Sequence, residues 1–234
     1  ANNLVDYISR VEVFGKDASN PELRTEDAYD GIYHFAAPHF KAYSAKHFDG
    51  RSPTELKVGE VNQWRLALLS ETNVGSSAFG GIQIVGDTFH EQVTKLGLGN
   101  NDVMDISLQR KIGHSLLNRA GFEDFLAGDM TLDKFQHKLA GTWASLKSSN
   151  GVGRYDGDKN GNMAYGDANE LRTLLVQSKN AYQANLAAKS TNVASIEGRQ
   201  DLAEAGATEE DITLAQNNIQ QQVMGFGQPV PQPF

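Results

Sequence analysis

The residues best suited to chemistry stand in one twelve-residue stretch, Asp156-Gly157-Asp158-Lys159-Asn160-Gly161-Asn162-Met163-Ala164-Tyr165-Gly166-Asp167. Oxygen-bearing side chains fall at positions one, three, five and twelve of this run, with glycine at six. A hard cation such as Ca2+ takes about six to eight oxygens, so a tight loop must turn carboxylates and an amide inward at alternate residues. The ligands read from this spacing are the side chains of Asp156, Asp158, Asn160 and Asp167, with Asn162 giving its backbone carbonyl. Gly161 lets the chain turn where a Cβ would clash. An Asx-rich surface turn is the plainer alternative, but such turns rarely satisfy all five positions. Ala164 at position nine carries no ligand, so water is expected there. Asp167 stands where a longer glutamate is usual, which shortens its reach. No second loop of this kind is present, so the ion expected is structural rather than a signalling switch.

Glu12 is the second candidate. It ends an apolar helical pattern, between Val11 and Val13 and before Phe14. Apolar neighbours and the negative end of a helix dipole both favour the protonated carboxyl. A carboxyl that keeps its proton near neutral pH can protonate a leaving glycosidic oxygen. By itself a glutamate at a helix end is more often an exposed surface group. The third candidate is Ser76-Ser77-Ala78-Phe79-Gly80-Gly81-Ile82-Gln83-Ile84, where paired glycines allow close backbone approach and the Gln83 amide could bind a sugar or orient a carboxyl. The plain alternative is a helix-linking turn with a buried glutamine.

In this order the segments resemble the lysozyme superfamily, and most closely the phage-derived muramidases related to the lambda-type endolysin. Tyr7-Ile8-Ser9-Arg10-Val11-Glu12 is similar to the helix end that carries the family's catalytic glutamate. Tyr29-Asp30-Gly31-Ile32-Tyr33 resembles its Gly-Tyr-Asp segment, and Leu56 to Val61 the start of the following helix. Ala78 to Ile84 is similar to its Gly-Arg-Tyr-Gln turn. Trp143-Ala144-Ser145-Leu146 resembles its Trp-Ala-Ser-Leu helix. The likeness runs over about residues 3 to 180. Two departures stand out: Val13-Phe14-Gly15-Lys16 and an insertion follow the glutamate, and Gly81-Ile82 replaces Arg-Tyr before Gln83. Glu71 is an alternative acid, because Glu-Thr also ends a helix ahead of the glutamine in soluble lytic transglycosylases.

The resemblance implies a mostly α, α+β lysozyme-like fold. Helices would surround the catalytic-glutamate helix, with a small loop or hairpin lobe and a helical C-terminal extension; the EF-hand-like calcium loop is read from its own spacing. It implies cleavage of the MurNAc-GlcNAc β-1,4 bond of peptidoglycan, by a muramidase or a lytic transglycosylase. Glu12 would be the acid, Asp30 the second carboxylate and Gln83 a cleft residue. The expected partner is the glycan strand, and the expected place is the periplasm, the exterior or a virion. The alternative is an inactive, calcium-stabilised glycan-binding or scaffold module, presented to a protein partner by the C-terminal segment.

The elements that must position these groups follow from periodicity. Helices are expected over 3–12, 54–69, 88–96, 105–120, 122–126, 131–146 and 168–189. A short hairpin is expected around 29–35, and a tight turn over 75–84. Phe35, Phe40, Tyr43, Phe48 and Trp64 line a sugar cleft or fill the core. After Lys189 the composition turns polar, so residues 1–189 read as the enzymatic domain. Residues 190–234 read as an extension with two modest helices over 190–224 and a proline-containing flexible tail over 225–234.

Composition excludes other classes. The 234 residues carry a net charge of -8, which opposes binding to nucleic acid or to an anionic surface by bulk electrostatics. There is no cysteine, so disulfides, thiolate catalysis and cysteine-ligated zinc are ruled out. No apolar run is long enough for a membrane span, and no secretory signal is read at the start. The six histidines form no zinc-binding pattern, and no Gly-x-Ser-x-Gly elbow or phosphate-binding glycine loop is present.

Overall fold

The computed structural model of the chain describes residues 2–32, 48–71, 76–158, 162–204 and 208. Among them the molecule is mostly helical and holds no strand, only isolated antiparallel bridges. The chain divides into two compact units, Ala1–Lys179 and Asn180–Phe234, whereas composition marks its change after Lys189.

Helix α1, Asn2–Phe14, buries Leu4, Val5, Tyr7, Ile8, Val11 and Phe14 at helical spacing. Gly15 then takes φ +56°, a left-handed setting that ends a helix with little strain in glycine, and a 3-10 turn follows over Gly15–Asp17. Arg10 ties down the segment beyond, donating to the carbonyls of Ala18, Asn20 and Leu23. The short helix α2, Thr25–Ala28, packs on α1. At its exit Ile32 bridges Phe79, and the rest of the hairpin expected around 29–35 lies outside the described residues. A 3-10 turn over Pro53–Glu55 leads into α3, Val58–Glu71.

Helices α4 (Gly86–Lys95), α5 (Ile106–Ala120), α6 (Phe122–Ala127) and α7 (Leu132–Thr142) follow. Asp105 caps α5 by accepting the Leu108 amide at 2.8 Å, and Gly121 ends it at φ 99°. α5 packs on α1, α6 and α7. Stacked Phe122, Phe125 and Phe135, with centroids 5.0–6.5 Å apart, fill the space between α6 and α7.

One buried amide joins the central pieces. Gln109 of α5 is 1% exposed. Its Nε2 donates to the carbonyls of Tyr29, at 3.0 Å, and Met104, at 2.8 Å, and its Oε1 accepts the Gly81 amide at 2.9 Å. Such full pairing is what burial of an amide requires. Beside it, Asp6 of α1 accepts from Tyr29 at 2.5 Å and pairs with Arg110 of α5 at 2.9 Å.

Three helices differ from their expected extents: α3 begins at Val58 rather than Thr54, behind its own 3-10 turn. α7 stops at Thr142 rather than Leu146, because Trp143 adopts extended backbone and the chain turns toward α1. α8 runs unbroken over Ala168–Glu204, past the expected stop at Lys189. Between 168 and 204 there is no proline and one glycine, and the run is rich in Ala, Leu, Gln, Glu and Lys, so nothing in the polar composition interrupts helical backbone. The rest of the expected C-terminal helices and the 225–234 tail lie outside the described residues, Thr208 apart.

Gly81 is closely packed in the central turn. A Cβ there would stand 2.7 Å from Ser9 Oγ, 2.8 Å from Ser9 Cβ and 3.0 Å from Tyr29 Cδ1. Gly81→Ala is therefore expected to cost about 1–3 kcal/mol, because backbone must shift to make room. Urea denaturation measures it, and an unchanged midpoint would show that the turn does not pack as described.

Candidate active site

Glu12 lies in the last turn of α1, where Val11 and Phe14 face the core and the chain is about to turn at Gly15. Glu12 is half-buried and borders a cleft of about 390 Å³. Ser145 holds it. The backbone N–H of Ser145 donates to Glu12 Oε1 at 3.1 Å, and the hydroxyl donates to the same oxygen at 2.5 Å. This contact explains the early end of α7. A helical Ser145 amide would be committed to the carbonyl four residues back, whereas the extended turn frees it for Glu12. Burial raises the Glu12 pKa, and the two Ser145 hydrogen bonds oppose that rise. Among the described residues Glu12 forms no salt bridge.

The cleft is also lined by Lys16 and Asp17 from the turn after α1, and by Asn162, Met163 and Tyr165 from the acidic loop. The loop is fastened to the helix that carries Glu12. Tyr7 OH donates to the Asp167 carbonyl at 2.9 Å, and the Gly166 amide donates to the Ser145 carbonyl at 2.9 Å. A mixture of charged, amide, aromatic and apolar groups around the Glu12 carboxyl could bind a polar substrate.

Asp30 and Gln83 do not line this cleft. Asp30 Oδ1 accepts the Thr54 amide at 3.0 Å and the Thr54 hydroxyl at 2.8 Å, so its carboxylate holds the 3-10 turn ahead of α3. Burial raises its pKa and the Thr54 bonds oppose the rise. Gln83 sits at φ 47° and donates from Nε2 to the Gly80 carbonyl at 2.7 Å, closing its own turn. Glu71 is the last residue of α3, and its side chain lies outside the described part. Phe48 and Trp64 belong to the core, 4% and 9% exposed, with Trp64 5.7 Å from both Phe48 and Phe79. Phe35, Phe40 and Tyr43 lie outside the described residues.

In the acidic loop, Asp156 accepts the Gly153 amide at 2.9 Å and the Ala164 amide at 2.6 Å, one on each oxygen. Asp158 accepts the Asn162 amide at 3.1 Å and its side-chain Nδ2 at 2.9 Å. Asp167 Oδ1 caps α8 instead, accepting the Asn169 and Glu170 amides at 2.8 Å each, and those bonds hold its carboxyl below the usual range. Among the described residues no three acidic, histidine or cysteine side chains converge at ligand spacing. Asn160 and Gly161 lie outside them.

Ser145, Lys16, Asp17 and Tyr165 were not among the residues singled out by spacing. The signal for Ser145 was its place in the Trp-Ala-Ser-Leu segment, and for Lys16 and Asp17 their position directly after the candidate acid. Comparison with protein-family models, curated proteins and solved structures finds no match to this chain.

A raised Glu12 pKa fixes the sign of a pH effect. Between the ordinary glutamate value, about 4.3, and the raised one, the folded chain binds more protons than the unfolded chain. Stability therefore falls as pH rises through that window and stays lower above it. Glu12→Gln removes this titration, so the variant should gain on the parent across the window and then hold a constant difference. Urea denaturation from about pH 4 to about pH 8 tests this, and a pH-independent difference would show that the carboxyl titrates normally.

Proposed function

We propose that this chain is a lysozyme-like peptidoglycan glycosidase that cleaves the MurNAc-GlcNAc β-1,4 bond with Glu12 as the general acid. The observation that carries this reading is one half-buried carboxyl, its pKa raised by burial, that Ser145 holds at the edge of an open cleft. The meeting of the resembling segments supports it. Ser145 of the Trp-Ala-Ser-Leu segment donates to Glu12, and Trp143 of the same segment donates from Nε1 to the Ile82 carbonyl of the glycine turn at 3.2 Å. The Gly80 amide of that turn donates to the Gly31 carbonyl of the Tyr-Asp segment at 2.7 Å.

The hydrogen bonds assign the proton. Both Ser145 donors reach Oε1, so Oε1 acts as the acceptor oxygen and the transferable proton belongs on Oε2. As the proton passes to the leaving glycosidic oxygen, the same two donors stabilise the carboxylate that remains. Asp30, bonded to Thr54 and absent from the cleft lining, is poorly placed to direct water, whereas Asp17 is a second carboxylate in the lining. Attack by water gives a reducing sugar, and attack by the substrate's own hydroxyl gives a 1,6-anhydro product. The natural partner is the glycan strand of a cell wall. No helix among the described residues is long and apolar enough to cross a membrane.

Glu12→Gln keeps size and an acceptor for Ser145 but has no proton to give. Release of muropeptides from purified peptidoglycan, followed by mass spectrometry, should fall about 10²–10⁴-fold, the usual contribution of general acid catalysis. Glu71→Gln should keep most activity. If Glu71→Gln is the dead variant, the acid is Glu71. If the parent chain binds wall glycan without releasing fragments, it is a binding module.

The loop over 156–167 is proposed to hold Ca2+ through Asp156, Asp158, Asn160 and the Asn162 carbonyl, with Asp167 adding a ligand while it caps α8. Binding to the native state alone stabilises by ~2.7 kcal/mol when the ion is at a hundred times its Kd. EDTA should lower the melting temperature of the parent, and Asp158→Ala should remove the difference. Superimposed melting curves with calcium and with EDTA would refute the site.

A further inference from the structure

The geometry points to Tyr165 as the platform on which a sugar ring of the glycan stacks beside Glu12. This inference deepens the glycosidase proposal and rests on its substrate class. Tyr165 lines the same cleft as Glu12 and stays 45% exposed, although it belongs to a loop tied closely to α1. The other large aromatic side chain of the lining, Phe14, is 7% exposed and part of the core. Phe48 and Trp64 are likewise spent on the core, so the stacking role is left to Tyr165 among the described residues.

The ring is also fixed in place. Its Cδ2, Cε2 and Cγ lie 3.3, 3.4 and 3.8 Å from where a Cβ on Gly15 would stand. One side of the ring therefore rests on the bare backbone of Gly15, the residue that ends the helix carrying Glu12. On the loop side, the Gly166 amide is bonded to the Ser145 carbonyl, so the neighbours of Tyr165 and of Glu12 share one hinge of backbone. A preset aromatic surface loses little conformational freedom on binding. Its electron-rich face suits the C–H bonds of a pyranose, while Lys16, Asp17 and Asn162 around it can bond the sugar's hydroxyls and carboxylate.

Soluble alternating GlcNAc-MurNAc strands, freed of peptide by an amidase, serve as the probe. Calorimetric titration of the full chain carrying Glu12→Gln avoids cleavage during the measurement. Adding Tyr165→Ala should weaken binding about tenfold, equivalent to ~1.4 kcal/mol, and Tyr165→Phe should stay within about twofold. In the chain with Glu12 intact, Tyr165→Ala should raise KM with little change in kcat, because a stacking contact made before and during reaction is uniform binding. Circular dichroism checks the fold. Should Tyr165→Ala unfold, Tyr165→Leu keeps apolar bulk without the ring and must show the same loss. Binding by Tyr165→Ala or Tyr165→Leu equal to the parent overturns the platform, as does a parent that does not bind the strands. Ring-dependent binding without muropeptide release upholds the platform and overturns the glycosidase. Release by the parent with an unchanged KM in the alanine variant does the reverse.

Discussion

Two donors of one serine converge on one oxygen of Glu12, and the candidate site depends on that bond. Ser145 and Glu12 are 133 positions apart in the chain. Their meeting requires α7 to end at Thr142, the backbone to extend at Trp143, and the acidic loop to return along α1 through Gly166 and Tyr7. It also makes burial of the carboxyl tolerable. A buried carboxyl without donors would be costly to ionise, whereas two donors on one oxygen orient the group and offset part of that cost.

The frame behind this contact is held by polar groups as much as by apolar ones. Gln109 reaches three backbone groups on different parts of the chain, and Asp6 joins Tyr29 to Arg110. Each is satisfied, so burial does not leave a stray donor or acceptor to destabilise the turn that Gly80 and Gly81 form. The bare glycines permit this approach. Their role at this point is to seat the turn against Ser9, Tyr29 and Gln109, rather than to bring backbone to a ligand.

Periodicity made the helices legible because α1, α5, α6 and α7 each carry an apolar stripe that the core must bury. It also placed Glu12 at a helix end with apolar neighbours. It could not find the early stop of α7, since Trp143 to Leu146 continue the helical pattern and only a tertiary partner draws them away. It could not find the full length of α8, where polar composition imitates a boundary although the residues are good helix formers. Asp30 and Gln83 have the right chemistry for a site, but Thr54 and Gly80 take up their polar ends locally. Tyr165 was hidden for another reason: the ligand spacing of its loop drew attention to the oxygens on either side of it.

The long sequence separation of Glu12 and Ser145 has a consequence for synthesis. The acid is translated 133 positions ahead of the group that positions it. A nascent chain thus carries Glu12 without its Ser145 donors until that later segment is made. The holding contact comes into being only when the segment after α7 has left the ribosome and folded back. The order of translation thereby separates making the acid from setting it in place.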